Sequence, residues 1–118
     1  MSPHALFVEC ETADGRVDTP EVFPRPDGTT YVCGLSSEAP LPVDPAAITS
    51  DAAAQARLKA MIRTFAPALA AAEIIAAQAC YRPVTRDGLP LLGQVPGFEG
   101  LYLATGHSVW GILNAPAT

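Results

Sequence analysis

The fold of this chain is decided near its end, by Leu101-Tyr102-Leu103-Ala104-Thr105-Gly106-His107-Ser108-Val109-Trp110-Gly111. Residues 101–105 form a short apolar run that predicts a buried strand, and a helix is expected to begin near Ser108. A strand that stops at a glycine and turns directly into a helix leaves free backbone N–H groups at the helix start. Such a start favours a negative or electron-rich ligand atom, so this turn is a candidate binding site.

A second informative segment lies about twenty residues upstream and reads Arg82-Pro83-Val84-Thr85-Arg86-Asp87-Gly88-Leu89-Pro90-Leu91-Leu92-Gly93. Arg82 precedes a proline at the expected end of a strand, where a guanidinium group can form a two-pronged pair with a substrate carboxylate. The same residue can also be a surface arginine at a turn, or the partner of Asp87 in a structural salt bridge. The residues alone leave these interpretations open.

Other side chains in the two segments also allow a functional and a structural interpretation. His107 can transfer a proton or contact a ligand, or it can be a loop histidine whose backbone matters more than its ring. Trp110 can stack on an aromatic ligand or belong to the core, and Tyr81 can line a pocket or simply pack. Thr85 and Ser108 are expected to be caps or turn formers.

The composition indicates a folded chain with many turns. Its 118 residues suit one domain or part of a larger one, and 49% hydrophobic residues are enough to bury a core. Glycine and proline make up about 18% of the chain. That share exceeds the average of roughly 12% but stays below the roughly 25–30% of low-complexity sequences.

Charge and hydropathy argue against several classes of partner. The net charge is -5 and lysine and arginine do not cluster, which argues against nucleic acid. There is no apolar run of about 18 residues, so we predict no membrane span. The first eight residues lack the basic start and long apolar stretch of a signal peptide, so we expect a cytoplasmic protein.

The cysteines and histidines do not indicate a metal site. Cys10, Cys33 and Cys80 are widely spaced without a CxxC pair, and His4 and His107 lie far apart. This pattern argues against a zinc site. We therefore expect no metal, and three buried free thiols in a reducing compartment.

The first third of the chain is expected to be mostly strand. Residues 4–10 read as a short strand, followed by a turn at Asp14-Gly15. Residues 21–25 and 29–34 flank Pro26-Asp27-Gly28, and this arrangement predicts a β-hairpin.

One helix is predicted in the middle of the chain. Thr49, Ser50 and Asp51 supply its start, and it runs to about Phe65 with an apolar stripe formed by Leu58, Met61, Ile62 and Phe65. Pro67 ends it. Residues 68–80 fit either a helix, because of their alanines, or a strand running into Tyr81.

Residues 81–93 and 100–111 together resemble the C-terminal part of the FAD-dependent oxidoreductases of the D-amino acid oxidase, glycine oxidase and sarcosine oxidase group. The resemblance is strong over Tyr81–Thr118 and looser over His4–Phe65, where the order of strand, hairpin and helix is similar to the substrate domain of that family. In detail the chain looks most like the amine oxidoreductases of the group whose substrates are poorly defined.

The resemblance implies roles for particular residues. Arg82 matches the arginine that binds the carboxylate of an amino-acid substrate, and Tyr81 is placed beside it in the substrate site. The flavin-contacting turn is matched by Gly106, His107, Ser108, Val109, Trp110 and Gly111. The implied reaction is hydride transfer from the carbon next to an amine to FAD, followed by hydrolysis of the imine. No catalytic residue is assigned.

The resemblance also implies a domain organisation. Residues 1–83 would be part of a substrate-binding domain and 84–118 the C-terminal FAD-contacting segment. The fold expected is α+β, a mostly antiparallel sheet with one packed helix and a terminal strand-turn-helix. Within this scheme the ambiguous middle segment becomes a strand over Glu73–Arg82. Ser108 stands where the family often has a second glycine, and its Cβ would restrict close approach to the flavin.

One family element does not occur in the sequence. The family holds the ADP part of FAD through a GxGxxG turn, and no GxGxxG is found here. The last helix also looks cut off, so another chain is expected to supply the dinucleotide-binding half. We further expect an exposed apolar strand edge and helix face, with poor solubility or self-association. The alternative is a non-catalytic remnant or assembly module that keeps the fold elements without binding FAD.

Overall fold

The computed structural model describes residues 3–12 and 14–118, which fall into two compact units on either side of the Ala79–Cys80 bond. Strands in both units pair antiparallel and short helices accompany them. The chain is therefore α+β, as predicted. The expected functional division after Pro83 stays a prediction.

The strands of the N-terminal unit are β1 (Leu6–Phe7), β2 (Cys10–Glu11), β3 (Val17–Asp18), β4 (Glu21–Pro24) and β5 (Thr30–Cys33). They form a three-stranded sheet in the order β1-β4-β5 and a separate β2-β3 pair. The single strand predicted over residues 4–10 is thus two strands. The chain leaves one ladder after Phe7 and enters the other at Cys10, with the Val8 N–H group bonded to the Pro20 carbonyl between them.

The predicted hairpin around Pro26-Asp27-Gly28 is confirmed. β4 and β5 pair from Glu21 opposite Cys33 to Pro24 opposite Thr30. The Gly28 N–H group donates to the Arg25 carbonyl at 3.1 Å and closes the turn. Gly28 has φ +88°, a conformation that glycine adopts without steric cost.

Aromatic side chains line one side of this sheet. The rings of Phe7 and Phe23 meet edge to face at 5.7 Å between centroids, and those of Phe23 and Tyr31 stack at 6.3 Å. The Arg25 guanidinium lies 5.2 Å from the Tyr31 ring centre, within the range of a cation–π contact. Cross-strand pairs of this kind stabilise a short sheet.

The predicted helix is also confirmed, as α1 (Ala52–Phe65). The Asp51 carboxylate caps it by accepting from the Ala53 N–H group at 2.8 Å, which satisfies one of the free donors of the first turn. Met61 and Ile62 of the apolar stripe are buried, and with Pro20, Val22 and Ala70 they complete the buried set of the N-terminal unit. The helix ends at Ala66, before a short helix α2 (Pro67–Ala70).

The strand expected over Glu73–Arg82 is wrong. No residue from 73 to 82 belongs to a strand, and the side chains of residues 71–80 are exposed, including Ile74 at 55% and Ile75 at 72%. A strand needs a neighbour for its N–H and C=O groups. No described strand of this chain pairs with the segment, so it stays irregular.

The C-terminal unit consists of one hairpin and a run of short helical turns. Strands β6 (Leu91–Gln94) and β7 (Tyr102–Thr105) pair antiparallel. A 3-10 turn over Ser108–Trp110, helix α3 (Gly111–Asn114) and a 3-10 turn over Ala115–Ala117 follow. The expected helix start near Ser108 is confirmed. Its final turn is 3-10, because Pro116 has no N–H group to donate to an α-helical bond.

The expected burial of residues 101–105 is wrong. Tyr102 is 67% exposed and Leu103 46%, because β7 pairs only with β6 and no described element covers either face. The expected exposed apolar strand and helix faces are confirmed: Ile112 is 95% exposed and Leu113 70%. The expected poor solubility stays a prediction.

The cysteines are free, as predicted, but they are not buried. Cys10 and Cys33 are half-buried and Cys80 is exposed. Cys80 lies at the end of the irregular 71–80 segment, which nothing in the described chain covers. Burial, followed by the nearby Glu21 carboxylate, raises the pKa of the Cys33 thiol. No helix in the described part of the chain is long and apolar enough to cross a membrane.

Candidate functional site

The C-terminal unit brings the two segments singled out in the sequence into direct contact. The Ser108 N–H group donates to the Pro83 carbonyl oxygen at 3.0 Å. Pro83 follows Arg82, and Ser108 lies in the turn that follows β7. The bond therefore fixes the backbone beside Arg82 against the candidate binding turn.

Gly106 starts this turn and is packed closely against the chain. It is buried and has φ +84°. A Cβ atom here would lie 2.9 Å from the Thr85 methyl group and 3.5 Å from backbone atoms of Pro90 and Leu91. Such a distance is shorter than side chains tolerate, so both the space and the backbone conformation require glycine.

Thr85 belongs to a turn that is well bonded itself. Its hydroxyl group donates to the Leu89 carbonyl at 2.7 Å, and its carbonyl accepts from the Gly88 N–H group at 3.3 Å. The Leu89 N–H group donates to the Asp87 carboxylate at 3.1 Å and is the main cause that lowers the pKa of that carboxyl group. Thr85 was expected to be a cap or turn former, and the structure confirms a turn.

Two N–H groups of the binding turn are already used inside the chain. Ser108 donates to Pro83, and the Trp110 N–H group donates to the His107 carbonyl at 2.9 Å. A ligand at this turn must therefore accept hydrogen bonds from donors other than the Ser108 and Trp110 N–H groups. Ser108 also has φ +51°, a left-handed conformation that is uncommon for a residue with a Cβ atom.

The His107 ring lies within hydrogen-bonding distance of the far end of the helical turns. Its Nε2 atom is 3.2 Å from the Thr118 hydroxyl oxygen. Both residues line an open surface recess of about 490 Å³. Its other lining residues are Pro83, Ala104, Thr105, Ser108, Gly111 and Ala115.

The remaining predicted site residues lie at the surface. Tyr81 is 41% exposed, Val109 57% and Trp110 58%, and Arg82 is exposed. Trp110 is thus exposed and not part of a core of this chain, and its stacking on a ligand stays a prediction.

Sequence reasoning missed Thr118 as a neighbour of His107. The two residues are eleven positions apart, and an unbroken α-helix of that length would separate them by about 16 Å. Helical periodicity in the sequence therefore does not mark this contact. The hydrogen bond accepted by the Pro83 carbonyl could not be predicted from the sequence, because every residue carries the same backbone carbonyl group.

Two further observations concern other possible sites, a metal site and a second recess. Among residues 3–12 and 14–118, no three His, Cys, Asp or Glu side chains are grouped so that they could hold a metal ion. A second recess, of about 350 Å³, follows the loop from Gln94 to Glu99. It contains none of the predicted site residues.

Comparison with known proteins identifies the family. Residues 9–118 match the family model described as FAD dependent oxidoreductase, DAO. The chain belongs to this family. The match extends over both units, so the looser resemblance of the N-terminal part and the strong one of the C-terminal part have the same origin.

Individual relatives agree with this membership. The chain is 34% identical over its whole length to TDA3 of Saccharomyces cerevisiae, a protein that carries the name of an oxidoreductase. It is 38% identical to a glycine oxidase of Pseudomonas putida over 81% of this chain, and 43% identical to one of Pseudomonas aeruginosa over 55%.

The chain is much shorter than these relatives. The matched regions span 23% of the yeast protein, 25% of the Pseudomonas putida enzyme and 18% of the Pseudomonas aeruginosa enzyme. No solved structure matches the chain significantly.

Proposed function

We propose that this chain forms the substrate- and flavin-contacting part of an enzyme that oxidises the C–N bond of an amino acid or a related amine. The observation that carries the proposal is the hydrogen bond from Ser108 to Pro83. It ties the segment of the candidate carboxylate-binding arginine to the candidate flavin-contacting turn. Family membership and the similarity to the Pseudomonas glycine oxidases named above support the same chemistry.

The residues at the turn fit a flavin ring in two respects. Gly106 has no side chain and packs tightly against Thr85, so no side chain projects from the backbone at the start of the turn. Val109 and Trp110 present exposed apolar surface next to it, which can cover the flat face of an aromatic ring. We assign Gly106, His107, Ser108, Val109, Trp110 and Gly111 to this contact.

Arg82 and Tyr81 are proposed to hold the substrate. A guanidinium group binds a carboxylate through two parallel hydrogen bonds, which fixes the α-carbon relative to the turn. Tyr81 lies next to it in the chain and is partly exposed, so its ring can border the substrate. FAD, when bound, supplies the hydride acceptor. The amine loses a hydride from its α-carbon and a proton from its nitrogen, and water then hydrolyses the imine to a carbonyl compound and ammonia or an amine.

The proposal includes a partner for this chain. Its sequence has no GxGxxG turn, and it spans a quarter or less of the relatives named above. The ADP part of the cofactor would therefore be held by a dinucleotide-binding portion outside these 118 residues.

The second candidate is a remnant or assembly module that does not bind FAD. The exposed apolar surface of the C-terminal unit favours it, because Leu91, Leu92 and Ile112 are all more than half exposed. Such surface is typical of an interaction face, and a module of this kind would need no cofactor.

Titration of the purified chain with FAD, followed by flavin fluorescence and calorimetry, separates the two candidates. Saturable binding supports a flavin site in these residues. A chimera provides the second arm, with this chain in place of the matching quarter of the Pseudomonas putida glycine oxidase. The chimera should retain FAD and oxidise an amino acid. A chimera that folds but loses FAD would favour the remnant.

The role of Arg82 is tested in the chimera with a matched control. Arg82→Leu should weaken the binding of a carboxylate substrate by about 10- to 100-fold, since a hydrogen bond to a charged group contributes about 1.5–3 kcal/mol. Arg86→Leu removes another exposed arginine, four residues away, and should change KM little. If Arg82→Leu binds a carboxylate as well as the parent does, the proposed role is wrong.

A further inference from the structure

The hydroxyl group of Thr118 makes two contacts, and its role in the first determines which atom is the donor in the second. It donates to the Asn114 carbonyl oxygen at 3.0 Å, and a carbonyl oxygen can only accept. A hydroxyl group has a single proton, so the Thr118 oxygen has no proton left for its other neighbour. At the 3.2 Å contact with His107 Nε2, the histidine must be the donor.

We infer that Thr118 is a positioning residue that fixes the neutral His107 imidazole with its proton on Nε2. In this tautomer Nδ1 carries the lone pair and is the acceptor atom of the ring. Nδ1 makes no hydrogen bond to any residue that the structure describes. The chain thus holds one ring nitrogen by a fixed partner and leaves the other for a ligand.

The helical turns between the two residues make this arrangement possible. The Asn114 carbonyl lies at the end of α3, where helix carbonyls have no partner within the helix. Thr118 satisfies it by donating its hydroxyl proton to that carbonyl, which leaves a lone pair of the hydroxyl oxygen to accept from the histidine. A valine of the same shape would fill the space without supplying either bond.

The consequence for ligand choice rests on the proposed function. His107, Thr118 and Ser108 line the same recess, next to the segment proposed to hold the substrate. A ligand group that meets Nδ1 of the neutral ring has to donate a hydrogen bond, as the N–H group of an amine does. A carboxylate or carbonyl oxygen at that atom is disfavoured, because two acceptors would face each other.

Nitrogen NMR of the unliganded chain tests the inference. The protein contains two histidines, so labelling with ¹⁵N-histidine gives two ring systems, and His4→Gln assigns the remaining one to His107. Spectra are recorded at a pH well above the ordinary imidazole titration, where the ring is neutral. We expect a protonated-type shift for Nε2 and a lone-pair-type shift for Nδ1.

Variants at Thr118 provide the matched comparison. Thr118→Val should move both nitrogen shifts toward values averaged over the two tautomers, and Thr118→Ser, which keeps the hydroxyl, should restore the wild-type pattern. A proton on Nδ1 in the wild-type chain overturns the inference, as does a Thr118→Val spectrum identical to the wild type. Because neither FAD nor substrate is present, the result does not depend on whether the proposed function holds.

Discussion

The Ser108 N–H group donates to the Pro83 carbonyl oxygen at 3.0 Å, and Ser108 holds φ +51° while it does so. The bond and the left-handed backbone conformation thus occur at the same residue of the turn. The chain thus retains a serine in a conformation that costs an L-residue roughly 1–2 kcal/mol. The bond joins the two segments on which the proposed function depends.

Substitutions at Ser108 should separate the backbone conformation from the side chain. Ser108→Val is expected to destabilise the C-terminal unit by about 1–2 kcal/mol, since a β-branched residue tolerates positive φ poorly. Ser108→Gly should change stability by less than about 1 kcal/mol, because relief of strain is offset by the freedom of the unfolded chain. Trp110 is the one tryptophan of the sequence, so urea unfolding followed by its fluorescence reports on this unit. Equal stability of the two variants would contradict the argument.

Gly106→Ala tests the close packing at the start of the turn. The added methyl group would meet the Thr85 side chain at 2.9 Å, and Thr85 is held in place by its bond to Leu89. We expect a loss of about 2–3 kcal/mol from the combined strain and crowding. Gly100→Ala is the control, because Gly100 has φ +75° but open space and should lose only about 1 kcal/mol. Similar losses in the same unfolding measurement would show that packing against Thr85 is unimportant.

Elements that depend on neighbouring residues could be predicted from the sequence. The capping carboxylate of Asp51 and the Pro26-Asp27-Gly28 turn act within a few residues, so helix α1 and the β4-β5 hairpin follow from local signals. The Arg82-Pro83 segment and the Gly106 turn were identified by motif, and the structure shows that they meet. Their chemical roles remain predictions.

The errors concern properties that depend on distant partners. Residues 73–82 have strand-compatible side chains, but a strand exists only where another strand bonds to it. Apolar residues 101–105 were expected to be buried, although burial requires a covering element. The contact of His107 with Thr118 and the ion pair of Arg57 with Asp18 also escaped prediction, since neither pair is marked by a sequence motif.

The ion pair between Arg57 and Asp18 should stabilise the N-terminal unit. The guanidinium nitrogen lies 2.6 Å from Asp18 Oδ2, and the Asp18 side chain is 13% exposed. This oxygen has no well-directed hydrogen bond, so removing Arg57 leaves a nearly buried charge unpaired. Arg57→Met should cost about 1–3 kcal/mol, less than the roughly 3–5 kcal/mol of fully buried pairs, because the arginine is 35% exposed.

Two comparisons make this prediction specific. Arg63→Met changes an exposed arginine of the same helix and should cost less than about 1 kcal/mol. Adding Asp18→Asn to Arg57→Met should recover part of the loss, since the unpaired charge is then removed. Unfolding is followed by circular dichroism of α1. A double variant whose losses simply add would mean that the two groups do not interact.

Gly34→Ala should be among the most damaging substitutions in the N-terminal unit. A Cβ atom at Gly34 would lie 2.5 Å from the Thr19 carbonyl oxygen and 2.8 Å from the Pro20 Cα atom, and Gly34 has φ +119°. Because both neighbours are backbone, the strand end itself must move, and we expect a loss of about 3 kcal/mol or more. Gly28→Ala, with φ +88° and open space, should lose only about 1 kcal/mol. Thermal unfolding that ranks the two variants the other way would contradict this.

The hairpin turn should loosen in acid because of Asp27. The Thr29 N–H and hydroxyl groups both donate to Asp27 Oδ1, at 2.9 and 2.7 Å, and these bonds lower the pKa of the carboxyl group. A lowered pKa in the folded state means that the turn is stabilised above the ordinary aspartate pKa of about 3.9, and that this stabilisation is lost as the pH falls through the folded pKa. In an NMR titration the Thr29 amide signal should therefore shift with a midpoint below that of an unstructured aspartate. Thr29→Val removes the hydroxyl bond but keeps the N–H bond, so its midpoint should lie between the two, whereas an unchanged midpoint would show that the hydroxyl bond has no effect.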